Sequence, residues 1–241
     1  MPLYHGPTMD VTQGKQMVHL SQNQRGPMAN FVYLIGDPAT HRAAVVDPAW
    51  DIDAIIAGAA SEGYEIDKIF ITHYHPDHLG GNLFGHTIEG AADLLGRLKA
   101  KVYLNRHEVE GAKQITGLSD SDIVATDAGD TTRVGNVEVK FIHTPGHTPG
   151  SQCFLVDGNL ISGDTLFVGS CGRVDLPGSD PEQMYYSLNQ TLRNLDDSTV
   201  VYPGHAYSPE SSSTIGDQKR TNLYMRFNSL DEFLRAMGHA R

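Results

Sequence analysis

The tightest constraint on this chain is the run His73-Tyr74-His75-Pro76-Asp77-His78, into which the strand-like stretch 68–72 (KIFIT) leads without a break. Three imidazoles and a carboxylate fall within the six residues 73–78. A short apolar run bounded by turn residues reads as a strand, so these side chains stand at its C-terminal end and on the loop beyond. His73 and His75 are two apart in extended chain, point the same way and can share one ion. Asp77 and His78 lie past the turn set by Pro76 and are free to face a second ion. Imidazole and carboxylate donors suit zinc, iron or manganese. The bland alternative is a solvated histidine-rich turn. The position directly behind an apolar strand argues against it.

Three more positions repeat that context, a polar donor just after a strand and beside glycine. His147 lies in Thr144-Pro145-Gly146-His147-Thr148-Pro149-Gly150, Asp164 in Ser162-Gly163-Asp164-Thr165, and His205 in Tyr202-Pro203-Gly204-His205. Each alone reads as a cap or a surface group. With the histidine turn they form a set of seven. His73, His75 and His147 are assigned to one ion and Asp77, His78 and His205 to the other, with Asp164 able to bridge. That division fits ions about 3.5–4 Å apart. His5, His19, His41, His86, His107, His143 and His239 lack the context and are read as structural or exposed. Cys171 is near the site in sequence, but no base stands beside it, so it reads as a small buried residue.

Short apolar runs separated by Gly, Pro and Asp set the organisation. Strands are predicted over 31–35, 43–46, 68–72, 102–104, 131–134, 137–142, 153–156, 160–162 and 200–202. Helices are predicted from Asp51 or Asp53 to about 61, over 88–98, 107–114 and 230–237, and over 181–195 with Asp180 as N-cap. In the last of these, Met184, Leu188 and Leu192 recur at spacing four. The polar stretch 208–213 (SPESSS) precedes a helical tail. Strands come in runs with helices between the runs, which favours sheets with helices outside over a simple alternating array. One domain over 1–241 is expected, its short helical tail at about 208–241.

With 18 Lys+Arg against 29 Asp+Glu the formal net charge is −11, which counts against nucleic acid and against anionic membranes as partners. Cys153 and Cys171 are read as free thiols in a reducing compartment. The N-terminal MPLYHGPTMD has neither a basic nor an apolar signal region, and no stretch approaches 18 uninterrupted apolar residues. A cytoplasmic protein acting on a small molecule is expected. A homodimer is the oligomer left open.

These residues resemble the metallo-β-lactamase fold superfamily, whose motif is this H-x-H-x-D-H with a later His, Asp and His. All seven positions are filled, between about Met28 and His205. The resemblance implies an α/β (α+β) fold, the four-layer αβ/βα sandwich: two mixed sheets face to face, helices outside, metal site at one edge. Within the superfamily the chain is similar to the glyoxalase II-like branch, which includes hydroxyacylglutathione hydrolases and persulfide dioxygenase relatives. The shared segments are Gly163-Asp164-Thr165-Leu166-Phe167, Cys171-Gly172-Arg173, Pro181-Glu182-Gln183-Met184-Tyr185 and Tyr202-Pro203-Gly204-His205. Asp164 argues against a true β-lactamase. Arg173 and Tyr207 occupy positions that resemble glutathione-contacting ones, so both are candidate substrate-binding residues. Glyoxalase II carries a helical C-terminal domain with further glutathione contacts, whereas 36 residues, 206–241, follow His205 here. A looser hold on glutathione is therefore expected.

The expected function is a metal-dependent hydrolase of a thioester or a related ester or lactone. Two divalent ions, zinc before iron or manganese, would bring a bridging water to a pKa of roughly 7. The resulting metal-bound hydroxide would attack a carbonyl carbon, with Asp77 orienting it and later taking its proton. Arg173, or Lys219 and Arg220 in the tail, could hold an anionic substrate. The alternative is a mononuclear-iron persulfide dioxygenase, using His73, His147 and Asp164 as a two-His-one-carboxylate triad. A purely structural metal site is the third reading, and the shared two-centre arrangement counts against it.

Overall fold

A computed structural model describes residues 17–239. His5 and the MPLYHGPTMD segment lie outside the described residues. The first sheet contains β1 (His19–Arg25), β2 (Asn30–Asp37), β3 (Arg42–Val46) and β4 (Glu65–Phe70). After a small hairpin of β5 (Gly81–Leu83) and β6 (His86–Ile88), it is completed by β7 (Lys101–Asn105) and β8 (Ile123–Thr126). Its order is β1-β2-β3-β4-β7-β8, antiparallel up to β3 and parallel from there on. The second sheet is built from β9 (Thr131–Val134), β10 (Val137–His143), β11 (Gln152–Val156) and β12 (Asn159–Gly163). A second hairpin, β13 (Leu166–Phe167) and β14 (Ser170–Cys171), precedes its last strands, β15 (Val200–Pro203) and β16 (Ser213–Thr214). The order is β16-β15-β12-β11-β10-β9.

Why the sheets must be covered on both faces is visible in β2, where every residue is buried. Phe31, Tyr33 and Ile35 point to one side and meet Phe141, Phe154, Val139 and Ile161 of the second sheet. Val32 and Leu34 point to the other, against Ile52 and Ile55 of helix α1 (Ile52–Ser61). This is period-two alternation with two apolar faces. Phe70, Phe141 and Phe154 pack with centroids 5.3–5.5 Å apart at the centre of the inter-sheet core. The outer face of the second sheet (Cys153, Leu160, Val201) is covered by Met184, Leu188 and Leu192, and by Phe233 and Leu234 of the C-terminal helix Leu230–Ala236. The result is the expected helix–sheet–sheet–helix sandwich, and the tail belongs to its outer layer.

Two predicted helices differ in detail. Over 88–98, Ile88 belongs to β6 and the helix α2 runs only over Ala91–Leu95. Asp93 Oδ2 accepts from the Gly90 backbone N–H and so starts the helix there. Over 181–195, Asp180 caps as predicted, accepting from Glu182 N and Gln183 N, but only Pro181–Tyr186 is α-helical. A wider π turn (Ser187–Thr191) and a 3₁₀ turn (Leu192–Asn194) follow. An apolar stripe at spacing four drifts by about 40° per step around a 3.6-residue helix. The wider turn absorbs that drift and keeps Met184, Leu188 and Leu192 all fully buried. β1, β8 and both hairpins have no counterpart in the sequence reading. Among the described residues no helix is long and apolar enough to cross a membrane.

Candidate metal centre

All seven candidate ligands collect where the C-terminal ends of the strands meet one edge of the sandwich. The chain after β4 is extended through His73 and His75. Pro76 then opens a single helical turn, Pro76–Leu79, which turns Asp77 and His78 inward. His147 comes from the loop between β10 and β11, Asp164 follows β12, and His205 follows β15. The donor atoms form three groups, each within 4.8 Å: His73, His75 and His147; His73, His78 and Asp164; Asp77, His78 and His205. Asp164 lies between the outer two. Its Oδ1 is 3.4 Å from His78 Nε2, and its Oδ2 is 3.6 Å from His147 Nε2 and 3.4 Å from His205 Nε2. This approach requires a glycine at 204, where a Cβ would stand 2.3 Å from Asp164 Oδ1.

Hydrogen bonds on the far side of the rings fix which nitrogen faces the centre. His147 Nδ1 donates to the Arg173 carbonyl at 2.8 Å and His205 Nδ1 to the Met28 carbonyl at 2.9 Å. His78 Nδ1 donates to Asp47 Oδ2 at 2.9 Å. Thr72 Oγ1 donates to Asp47 Oδ2, so it accepts from His73 Nδ1 at 3.0 Å. Four rings therefore present Nε2 to a common centre, the orientation that outer partners impose on metal-binding histidines. The nitrogens crowd: His75 Nδ1 is 3.0 Å from His147 Nε2, and His78 Nε2 is 3.1 Å from His205 Nε2. His73 Nε2 and Asp164 Oδ1 are buried with no hydrogen-bond partner. Buried orphans among converging lone pairs and carboxylates are the surroundings a cation fits.

The charge pattern agrees. Burial, then the neighbouring His147 and His78, lowers the pKa of His75 to about 4. Burial, then His78, His147 and His75, holds His73 well below its ordinary value. At His78 burial also opposes a charge, but Asp77, Asp164 and the Asp47 hydrogen bond outweigh it and raise the pKa to about 10. Burial likewise opposes the charge on Asp164, yet His78 and His205 keep its carboxyl well below the usual range. The carboxylates of Asp77, Asp164 and Asp47 draw positive charge to the His78 end.

Of the other candidates, Tyr207 is 61% exposed and stacks on His205 with ring centroids 4.5 Å apart. Its partial burial, with Asp164 and Asp77 nearby, pushes its pKa up to about 12. The Arg173 guanidinium is exposed and clasped by Asp175, Nε to Oδ1 at 2.8 Å and a terminal nitrogen to Oδ2 at 2.9 Å. Its carbonyl, not its charge, reaches the histidine cluster. Lys219 pairs with Asp197 and Arg220 with Asp217, both away from the centre. Cys153 and Cys171 are unpaired and buried, and burial pushes their thiols up to about 11 and about 12. A thiol reagent at pH 8 is therefore expected to find less than one reactive group per native chain, and two after unfolding. Fast labelling of either thiol in the native protein would contradict this.

Three supporting residues escaped the sequence reading. Asp47 accepts from Thr72 N, Thr72 Oγ1 and His78 Nδ1. Asn30 Nδ2 donates to Asp77 Oδ2 at 2.9 Å. The buried Glu108 accepts from Tyr74 N and Gly150 N, tying the histidine turn to the His147 loop. Asp47 was legible, since it ends the apolar run 43–46 just as Asp164 ends another. Glu108 carried no such signal.

The metallo-beta-lactamase superfamily profile matches residues 25–205. A hydroxyacylglutathione hydrolase of Synechococcus sp. (strain JA-3-3Ab) is 34% identical, covering 83% of this chain and 85% of that one. The probable polyketide biosynthesis zinc-dependent hydrolase PksB of Bacillus subtilis is 27% identical over 90% of this chain and 91% of its own. Among solved structures, ETHE1 from Myxococcus xanthus superposes with a TM-score of 0.78 at 30% identity, covering 91% of this chain and 89% of that one. A protein solved as TTHA1623 in a di-iron-bound form gives a TM-score of 0.68 at 30% identity, covering 84% and 98%. With its fold, its edge-of-sheet histidine and aspartate cluster and these relatives in agreement, the chain belongs to the metallo-β-lactamase superfamily, as a metal-dependent hydrolase of its glyoxalase II-like branch.

Proposed function

We propose that the chain uses two divalent ions, most simply zinc, to hydrolyse a small thioester or a related ester or lactone. The observation that carries this reading is the seven-residue cluster, with four imidazoles turned Nε2-inward and two buried donor atoms lacking a protein partner. His73, His75 and His147 would hold one ion, Asp77, His78 and His205 the other, and Asp164 faces both. The di-iron form of one structural relative supports a two-ion centre on this fold. Bound there, the ions supply an acidified water and an electrophile for the substrate carbonyl.

The chain's own groups do the rest. Asp77 orients the attacking water and takes up its proton, with its Oδ2 already held by Asn30. The Tyr207 hydroxyl keeps its proton at neutral pH and donates to a polar group of the substrate at the rim. The formal net charge of −11 argues against nucleic acid and anionic membranes as partners. The chain would act as one domain in the cytoplasm.

The Arg173 guanidinium is turned to Asp175 and the described tail is packed into the outer layer of the sandwich, so among the described residues neither is posed to grip an anionic thiol carrier. S-lactoylglutathione is therefore expected to show a high KM, with kcat/KM less than a hundredfold above that of a small acyl thioester lacking glutathione. A hundredfold preference or more, roughly 2.7 kcal/mol of extra transition-state binding, would overturn that expectation. Metal analysis tests the reaction class. About two zinc per chain with thioester hydrolysis supports the proposal, whereas one iron per chain and rapid oxygen uptake with glutathione persulfide would assign the dioxygenase reaction instead.

A further inference from the structure

The connection between β3 and α1 is short and strained. Asp47 has φ +51° and Trp50 φ +83°, values that side-chain-bearing residues rarely adopt and that are most unusual for one as bulky as tryptophan. Such a conformation persists only where the surroundings enforce it, and it marks places where a side chain has a task. Asp47 has one, the contacts to Thr72 and His78 described above. Trp50 is the only tryptophan in the chain. Its ring lies so close over Gly26 that a Cβ there would stand 2.3 Å from it, and its backbone N–H donates to the Glu89 carbonyl at 2.9 Å. Gly26 thus packs against the ring, and the Glu89 carbonyl fixes the backbone that carries it.

Its indole Nε1 donates to Asn30 Oδ1 at 3.0 Å. Asn30 is buried, and its other amide atom, Nδ2, stands 2.9 Å from Asp77 Oδ2 and 3.3 Å from His78 Nε2. The two ends of an asparagine amide are nearly the same size, so shape alone does not choose between its two orientations. An indole N–H is a donor and nothing else. It claims the amide oxygen and leaves the amide N–H₂ for the carboxylate. With the indole donor gone, the amide can turn and present its oxygen to Asp77, replacing an attraction by a repulsion.

We propose that Trp50 and Asn30 are positioning residues acting in series, which hold the Asp77 carboxylate in place for the cation site of Asp77, His78 and His205. This inference rests on the two-ion reading of the cluster. Neither residue contacts His75 or His147 in the hydrogen-bond and ring-contact network described, so the effect is confined to one of the two sites.

The test uses the full chain, stripped of metal and titrated with zinc against a chromophoric chelator. Trp50→Phe keeps an aromatic ring near Gly26 and loses the indole N–H together with part of the ring's volume. It is expected to weaken the second zinc equivalent by roughly 10- to 100-fold, the usual cost of losing a group that orients a ligand, and to leave the first within about twofold. Asn30→Ala should weaken the same equivalent. The double variant should be no worse than Asn30→Ala alone, because residues in series are not additive. Trp50 emission in the unmodified protein should change with the second equivalent of zinc and not with the first. Thermal melts of the metal-free variants separate this from a folding defect, and the second-site effect should persist in whichever variant melts like the parent. Equal weakening of both equivalents, additive losses in the double variant, or unchanged zinc affinity in both single variants would overturn the inference while leaving the two-ion reading intact. No zinc uptake by the parent protein would overturn both.

Discussion

Asp164→Ala is expected to lose most of its bound metal and to lower kcat/KM by on the order of 10³-fold or more, about 4 kcal/mol of transition-state stabilisation. One carboxylate lies within 3.6 Å of the inward nitrogens of His78, His147 and His205, which belong to both ligand groups, so its removal strips charge from both ends of the centre at once. Asp164→Asn keeps the shape and loses the charge, and should fall in the same direction. The check is metal analysis of the purified variants together with thioester hydrolysis. Two ions per chain with normal turnover in Asp164→Ala would refute its placement between the sites. His205→Ala makes the contrast, since it should empty mainly the site of Asp77 and His78.

Asp47→Ala is expected to act on stability before it acts on chemistry. Its carboxylate is 3% exposed and receives Thr72 N at 2.8 Å, Thr72 Oγ1 at 2.6 Å and His78 Nδ1 at 2.9 Å. Removing it leaves buried donors unpaired, each costing about 1–3 kcal/mol, and leaves the His78 ring without the partner that holds it. A loss of about 3–5 kcal/mol in the metal-free protein follows, roughly 6–20 °C in Tm for a chain of this size. Metal affinity should fall as well, because His78 no longer has its inward nitrogen fixed. Asn at this position keeps an acceptor for Thr72 and should lose less. Thermal and urea melts measure the first effect and zinc competition the second. A change below about 1 kcal/mol in Asp47→Ala would show that the three hydrogen bonds are replaceable.

The clustering of the seven candidate residues was legible because their setting is local: each follows a short apolar run, and a strand end is readable from a handful of residues. The two-layered sheet was legible in outline for the same reason. What escaped depends on distant partners. β1 (HLSQNQR) alternates too weakly to announce a strand, and it is fixed by pairing with β2 across its whole length. Glu108 looks like an ordinary acidic residue before a helix, and only the approach of the Tyr74 and Gly150 backbones gives it a task. Asn30 at the start of β2 and Trp50 touch across 20 positions of sequence, and Trp50 sits in a loop whose conformation no propensity favours. The helix after Asp180 shows another limit. Its spacing of four marks the buried face correctly, and the chain meets that spacing by widening a turn.

The distance along the chain between His78 and His205, 127 positions, bears on the order of events at the ribosome. At about 5–20 residues per second, roughly 6–25 s separate the emergence of the two. During that interval the histidine turn is already synthesised, while the sheet that will close the centre is still incomplete. Any cation captured in this interval would be held by an open half-site exchanging freely with its surroundings. On the two-ion proposal, the group of Asp77, His78 and His205 is complete only once β15 takes its place beside β12 and brings in His205, so the part of the centre able to hold an ion there is the last to form.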